Sequence, residues 1–330
     1  MSTGLLNVSV LGAGRMGEGI ALSFINAGLP VTLIDIKERD EDERCGYFER
    51  VRSNIRNELQ MLVHIGVLQP EQADIALSRV TLLSKSQAVS TLQRCDLVFE
   101  AVPEVIAVKQ ETFGWVSEHV ATTAIIASTT STFLVTELAE MVNEPERFVN
   151  AHWLNPAHLM PLVEVSRSEA TCPQVVERLL ALLKLIGKVP VMCNPVAGYI
   201  VPRIQALAMN EAARMVEEGV ASVEDIDTAV RVGFGLRFSV LGLLEFIDWG
   251  GGDILYYASR YLTGALDSRF KSPEVIANNM QNGRNGIRDG QGFYDYREVD
   301  VEAYKLRRLS EFARKLALSG LTPAFDSALK

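Results

Sequence analysis

The sequence has few cysteines and no long apolar run. Its four cysteines, Cys45, Cys95, Cys172 and Cys193, are far apart, which excludes CxxC pairs and zinc-binding spacings. We therefore predict no metal site and reduced thiols, as in a reducing compartment. No apolar run reaches the roughly 18 residues that a membrane-spanning helix needs, and the first ten residues lack the basic and apolar pattern of a secretory signal. These absences predict a cytoplasmic protein.

An excess of positive charge is also lacking. The chain has 32 Lys and Arg against 41 Asp and Glu, a net charge of -9. This balance argues against broad binding to nucleic acid or to an anionic membrane, while a local basic pocket for a phosphorylated substrate remains compatible with it. The length of 330 residues suits two domains better than one.

Strand and helix patterns alternate in the first part of the chain. An apolar run at residues 6–11 precedes a glycine cluster, an amphipathic stretch from Met16 to Ala27 and a second apolar run at 31–35. We predict a long helix over 38–64 and further buried strands at 96–102, 124–128, 148–154, 162–165 and 189–193. After Asn194 only helical periodicity is found, including a charged helix at 300–320, and the last ten residues are expected to be disordered.

The glycine cluster has the spacing of a dinucleotide-binding loop. Gly12, Gly14 and Gly17 stand as GAGRMG directly after the first strand. Gly12 permits a tight turn, Gly14 lets the backbone approach a pyrophosphate, and Gly17 lets the helix pack on the strand. The helix N-terminus then offers free N–H groups to phosphate oxygens. We therefore predict an α/β fold, with a Rossmann-type doubly wound sheet at 1–194 whose loop, Met16 included, binds the cofactor, followed by an all-α domain at 195–330.

An aspartate ends the second predicted strand. Asp35 lies 18 residues beyond Gly17, where a carboxylate accepts hydrogen bonds from the ribose hydroxyls of the adenosine half. The same carboxylate repels a 2'-phosphate, so NAD is predicted rather than NADP. Arg39 is a signal in the opposite direction, for NADP.

Candidate catalytic side chains follow three of the later strands. The hydroxyl-rich segment ASTTST at 127–132 is expected at the carboxyl end of a strand, where ligands bind in open α/β sheets. His152 and Glu164 lie on strands that flank NPAHLMP, and they meet if that segment reverses the chain. A histidine oriented by a carboxylate suits a general base, although spacing alone also fits a structural histidine. The other histidines, His64, His119 and His158, are predicted to be core residues.

The chain resembles the L-3-hydroxyacyl-CoA dehydrogenase family in motifs that are spread over most of its length. The matching segments are VLGAGRMGEGIA, EAVPE with the later Lys109, ASTTST, RFVNAHWLNPAHLMPLVEV, AGYIVPR, EEGVASVEDIDTAV and GIRDGQGFYDY. The resemblance implies a Rossmann domain followed by a helical dimerisation domain, hence a homodimer. It also implies hydride transfer from a 3-hydroxyl carbon to NAD.

The same resemblance implies roles for individual residues. His152 would take the hydroxyl proton, Glu164 would steady the imidazolium, and Ser131 would hydrogen-bond the substrate oxygen. Asn155 would lie in the same substrate pocket. Two further residues match positions close to the nicotinamide half of the cofactor, Glu104 and Lys109.

Two segments depart from the family pattern. Pro202 replaces an asparagine within AGYIVPR, which removes a carboxamide expected to help hold the substrate. The segment GFGLRFSVLG at 233–242 replaces a shorter glycine–proline turn and is more similar to relatives that act on free hydroxy acids, such as L-gulonate 3-dehydrogenase, in the lambda-crystallin lineage, and carnitine dehydrogenase. Residues 54–68 are also more similar to these relatives, since they lack a lysine-rich face for coenzyme A phosphates. Arg237 is a candidate partner for a substrate carboxylate, or else a surface or interface arginine.

Three functions are compatible with these residues. The first is a 3-hydroxyacyl-CoA dehydrogenase of the 3-hydroxybutyryl type, and the second is a dehydrogenase for a free small hydroxy acid or hydroxymethyl aromatic acid. The third is a non-catalytic NAD-binding structural protein, against which the intact Ser131, His152 and Glu164 argue. Apolar positions of the helical region favour a homodimer, namely Ile204, Leu207, Leu241, Leu244, Phe246 and Leu255.

Overall fold

The chain folds into two compact units, Met1–Ala208 and Met209–Lys330. The structure, a computed structural model, describes residues 6–322. The disorder expected for 321–330 therefore falls outside the described residues, apart from Leu321 and Thr322. The domain boundary that we predict between residues 194 and 195 stays a prediction.

The first unit contains one eight-stranded sheet with the order β3-β2-β1-β4-β5-β6-β7-β8. Strands β1 to β6 run parallel, β7 is antiparallel to β6, and β8 is parallel to β7. The strands are β1 Val8–Leu11, β2 Val31–Asp35, β3 Val80–Ser84, β4 Leu97–Glu100, β5 Ile125–Ser128, β6 Phe148–Trp153, β7 Leu162–Ser166 and β8 Val189–Met192.

Helices cover both faces of this sheet, because alternate side chains of each central strand enter opposite apolar layers. In β1, Val10 belongs to the layer that holds Phe24, whereas Leu11 belongs to the layer that holds Phe113. The helices of this unit are α1 Arg15–Asn26, α2 Glu41–His64, α3 Pro70–Leu77, α4 Val89–Leu92, α5 Ile106–His119, α6 Val135–Ala139 and α7 Pro173–Leu185, and α8 Val201–Glu217 begins in it.

The predicted doubly wound sheet and its long second helix are confirmed, and each predicted strand is found within two residues of its expected bounds. Strand β3 was not predicted. It forms the edge of the sheet, and Thr81 is exposed in it while Leu82 and Leu83 are only partly buried. Such a strand shows neither the continuous apolar run of a central strand nor strict alternation.

The second unit is helical. It contains α9 Val223–Ala229, a π-helical turn Val230–Gly235, α10 Leu236–Phe238, α11 Leu243–Gly250, α12 Gly252–Ala265, α13 Glu274–Gln281 and α14 Val301–Leu318. The buried Asp248 accepts hydrogen bonds from the backbone N–H groups of Phe293 and Tyr294, at 2.9 and 2.8 Å. A Cβ at Gly292 would lie 2.1 Å from the Asp248 Oδ1. The GQGFYDY part of the family motif therefore has a structural role.

Two of our expectations about burial were wrong. His64 is exposed near the end of α2, whereas His119 and His158 are partly buried. Leu241 is only 1% exposed, so it packs inside the second unit and cannot belong to an exposed apolar face. No helix between residues 6 and 322 has the length and apolar character needed to cross a membrane.

Candidate active site

The glycine loop between β1 and α1 leaves no room for side chains at two of its positions. Gly12 has a φ of +98°, and a Cβ there would lie 2.7 Å from the Ala101 carbonyl oxygen. A Cβ at Gly17 would lie 1.9 Å from the Gly12 carbonyl oxygen, so only glycine fits either position. Gly14 differs, since a Cβ there meets nothing within 4 Å and no side chain caps α1. Open space at an uncapped helix N-terminus fits a pyrophosphate.

Asp35 lies at the carboxyl end of β2 and already has a cationic partner. It is 5% exposed, and its Oδ2 lies 2.6 Å from the Nε of Arg39. The Arg39 guanidinium also stacks over the Tyr47 ring, 4.1 Å from its centroid. The two residues that gave opposite signals in the sequence therefore form an ion pair.

A buried lysine joins two glutamates beside the next strands. Lys109 on α5 is 1% exposed, and its Nζ lies 2.8 Å from Glu100 Oε1 and 3.1 Å from Glu104 Oε2. Glu100, at the end of β4, is fully buried and also accepts a 2.7 Å hydrogen bond from the Ser128 hydroxyl. We did not predict a role for Glu100, although a glutamate in the otherwise apolar strand LVFE was the available signal.

Glu104 holds the hydroxyl-rich loop that follows β5. Its Oε1 accepts hydrogen bonds from the Ser131 N–H at 3.1 Å, the Thr132 N–H at 3.2 Å and the Thr132 hydroxyl at 2.8 Å, and also from the Thr130 hydroxyl. Burial acts to raise the pKa of Glu104, but the hydrogen bond from Thr130, the Lys109 ammonium and the bond from Thr132 outweigh it and lower that pKa. The ordered loop leaves Ser131 exposed.

His152 and Glu164 face each other across the antiparallel pair β6 and β7. They are register partners, and the distance from His152 Nδ1 to Glu164 Oε2 is 2.8 Å. His152 is 6% exposed and Glu164 is fully buried. Because a carboxylate only accepts hydrogen bonds, the imidazole proton lies on Nδ1, and Nε2 keeps a free lone pair. The other carboxylate oxygen, Oε1, accepts hydrogen bonds from the N–H groups of Ile200 and Val201 at 2.9 and 2.8 Å.

Tyr199 fixes the plane of the imidazole. Its ring stacks on that of His152 with a centroid distance of 5.1 Å and an interplanar angle of 14°. Its hydroxyl accepts a 2.9 Å hydrogen bond from the Asn150 amide and donates one of 3.1 Å to the Phe133 carbonyl. Burial raises the pKa of Tyr199. Tyr199 therefore connects the histidine to the loop of Ser131, a role that the sequence did not reveal.

Lys188 holds the NPAHLMP segment between β6 and β7. Its Nζ donates to the carbonyl oxygens of Ala157 and Met160 at 2.6 and 2.9 Å and lies 5.4 Å from the centroid of the Trp153 ring. Burial lowers the pKa of Lys188 to about 8. Asn155 is exposed within the segment that Lys188 holds.

Three further residues named from the sequence lie outside these clusters, Met16 and Pro202 partly buried and Arg237 exposed. Met16 packs partly buried against the apolar layer around α1. Pro202 is the second residue of α8. Arg237 is exposed in the second unit, 4.7 Å from the centroid of the Phe246 ring, and has no carboxylate within 4 Å among residues 6–322. The roles of all the predicted site residues in binding and catalysis stay predictions.

Comparisons with known proteins place both parts of the chain in one family. The sequence model of the 3-hydroxyacyl-CoA dehydrogenase NAD binding domain matches residues 7–196, and that of the C-terminal domain matches 198–296. A 3-hydroxybutyryl-CoA dehydrogenase of Bradyrhizobium diazoefficiens is 33% identical over 90% of this chain and 97% of its own length. A 5-formyl-3-hydroxy-2-methylpyridine 4-carboxylate 5-dehydrogenase of Mesorhizobium japonicum is 31% identical over 94% and 96%, respectively.

A solved structure agrees with this assignment. The 3-hydroxyacyl-CoA dehydrogenase of Archaeoglobus fulgidus superposes with a TM-score of 0.74 and 32% identity, and the match covers 96% of this chain and 99% of that one. The predicted family, fold class and cofactor are therefore confirmed. This chain belongs to the 3-hydroxyacyl-CoA dehydrogenase family and is an NAD-dependent oxidoreductase that acts on CH–OH groups.

Proposed function

We propose that the protein oxidises the L-3-hydroxyl of a 3-hydroxyacyl-CoA thioester of the 3-hydroxybutyryl type to the 3-keto product, with His152 as the general base. The observation that carries this proposal is the 2.8 Å contact between the His152 Nδ1 and the Glu164 Oε2. This contact fixes the tautomer in which Nε2 accepts a proton. NAD supplies the hydride acceptor when it is bound at the glycine loop.

In this mechanism the His152 Nε2 takes the proton of the substrate hydroxyl. The imidazolium that forms lies against the fully buried Glu164, where an opposite charge is worth more than in water. The Ser131 hydroxyl hydrogen-bonds the substrate oxygen. Glu104 contributes indirectly, because its hydrogen bonds fix the backbone of the loop that carries Ser131.

A second candidate function is the oxidation of a free small hydroxy acid. The substrate would then resemble gulonate, carnitine or a hydroxymethyl aromatic acid. The relative from Mesorhizobium japonicum, named for a pyridine carboxylate, is similar over nearly the whole chain. Arg237 is an exposed cation without a carboxylate partner in the described part of the chain, which suits a substrate carboxylate. Pro202 lacks the carboxamide of the acyl-CoA enzymes.

A substrate panel separates these two functions. NADH formation is followed by absorbance with L-3-hydroxybutyryl-CoA, free L-3-hydroxybutyrate and a hydroxymethyl pyridine carboxylate. We expect the highest kcat/KM with the thioester, and we expect His152→Ala to lose that activity while the exposed His64→Ala retains it. Turnover of the free acids alone would establish the second function. A fully active His152→Ala would contradict the proposed base.

We also propose that the protein is a cytoplasmic homodimer that associates through its second unit. Several large apolar side chains of that unit are exposed, among them Leu244, Ile254, Tyr261 and Leu306 at 48%, 60%, 72% and 68%. Such exposure is typical of an interface. Light scattering at micromolar protein tests the proposal, and a monomer would contradict it.

A further inference from the structure

A basic pocket lies beside Asp35 at the carboxyl ends of β2 and β3. It has a volume of about 370 Å³. Four cations and two hydroxyls line it, from Lys37, Arg39, Arg44, Lys85, Ser84 and Ser86. The acidic side chain in its lining is Glu38.

The pocket adjoins the carboxylate where the adenosine ribose is expected to bind. Ser84, which lines the pocket, is the register partner of Asp35 on the neighbouring strand. Arg39 lines the same pocket while its Nε lies 2.6 Å from Asp35. In dinucleotide-binding domains this carboxylate faces the ribose 2' position. A group attached to that position of a bound cofactor would therefore lie close to the pocket.

The cations of the pocket are only partly neutralised. Arg39 is paired with Asp35, and Lys85 lies 3.1 Å from Glu111, whose side chain is 76% exposed. Within residues 6–322, neither Lys37 nor Arg44 has a carboxylate within 4 Å. These two side chains are therefore available for an anionic ligand.

Asp35 would ordinarily repel a phosphate at this position, but the Arg39 guanidinium compensates its charge at hydrogen-bond distance. We propose that the pocket binds the 2'-phosphate of NADP, so that the protein accepts NADP in addition to NAD. The 3'-phosphate of coenzyme A has the same chemistry. The pocket lies beside Asp35, the carboxylate expected to face the ribose 2' position, and this favours the 2'-phosphate. The inference does not depend on which substrate is oxidised.

Calorimetric titration with nucleotide fragments tests the inference without any turnover. The ligands are adenosine 2',5'-bisphosphate, its 3',5' isomer of equal charge, and AMP. We expect the 2',5' isomer to bind about tenfold or more tightly than either of the others, because it alone places a phosphate among the charged donors. NADPH and NADH, titrated by fluorescence, differ by the same 2'-phosphate, so NADPH should bind at least as tightly as NADH.

Variants of the pocket identify the side chains responsible. Lys37→Ala combined with Arg44→Ala should weaken the 2',5' isomer about 10- to 100-fold, while AMP stays within about twofold. Arg56→Ala is the control, because Arg56 is exposed on α2, the helix that carries Arg44, and does not line the pocket. The inference is overturned if the 2',5' isomer binds no more tightly than AMP, or if the 3',5' isomer binds equally well. Equal losses in the Arg56→Ala control and the double variant would also overturn it.

Discussion

Glu164→Gln replaces one carboxylate oxygen of a fully buried side chain by an NH₂ group. The change separates the two contacts of Glu164, one with backbone N–H groups and one with His152. The Oε1 atom accepts hydrogen bonds from the N–H groups of Ile200 and Val201, and Oε2 faces the His152 Nδ1 at 2.8 Å. A glutamine can keep its carbonyl on the two backbone N–H groups. Its NH₂ group then donates to Nδ1, so the imidazole proton must move to Nε2. In that tautomer Nε2 no longer accepts the substrate proton.

The size of the effect follows from this loss. A positioned general base contributes about 100- to 10,000-fold to the rate, and a glutamine provides no negative charge for the imidazolium. We therefore expect kcat to fall by about 100- to 10,000-fold, while NADH affinity is nearly unchanged because the glycine loop is untouched. The unfolding free energy should fall by only about 1–3 kcal/mol, since the contacts to Ile200 and Val201 persist.

The assay is steady-state NADH formation with the best substrate of the panel, together with circular dichroism and NADH titration to show that the variant is folded. Glu169→Gln is the matched control, since it makes the same chemical change at an exposed position five residues further along the chain. A double variant with His152→Ala should be no slower than His152→Ala alone if Glu164 acts through the histidine. A folded glutamine variant with near-normal turnover would refute the reasoning.

Three further predictions concern the cofactor, the pH dependence of stability and the substrate. Asp35→Ala should weaken NADH binding by about tenfold and raise the affinity for NADPH relative to that for NADH, because a buried charged acceptor of the ribose is lost; an unchanged NADH affinity in titration would show that the assignment is wrong. Since the pKa of Lys188 is lowered from 10.5 to about 8 by burial, the unfolded state binds more protons between these values, and stability should rise with pH across that window. Urea unfolding below and above the window should show this rise in the native protein but not in Lys188→Met, and equal slopes would contradict the shift. Pro202→Asn should raise kcat/KM for L-3-hydroxybutyryl-CoA several-fold, up to about tenfold, if the carboxamide holds the thioester; a native protein that is already efficient and gains nothing would show that the pocket does not need this group.

Residues that meet across a short turn between two antiparallel strands could be predicted, whereas those brought together through a helix or a distant segment could not. The spacing of His152 and Glu164 around a reversing segment leads directly to their cross-strand contact, because side chains alternate with a period of two. Tyr199 contacts His152 from 47 residues further along the chain, and nothing in the local pattern indicates that stacking. Glu100 was missed for a similar reason, since its cation is on the following helix and its hydroxyl partner is on the next strand.

The AGYIVPR segment surrounds the proposed catalytic pair, His152 and Glu164, and it contains the departure from the family pattern at Pro202. Tyr199 stacks on the imidazole, and the N–H groups of Ile200 and Val201 bind the Glu164 carboxylate. Proline has no N–H group, but the carboxylate draws its two donors from the residues before it, and the first turn of a helix tolerates a missing donor. The proline therefore leaves the orientation of His152 intact. Any cost of this substitution should appear in KM for the thioester rather than in kcat, and a Pro202→Asn variant that raised kcat alone would show that the first turn of α8 also controls the base.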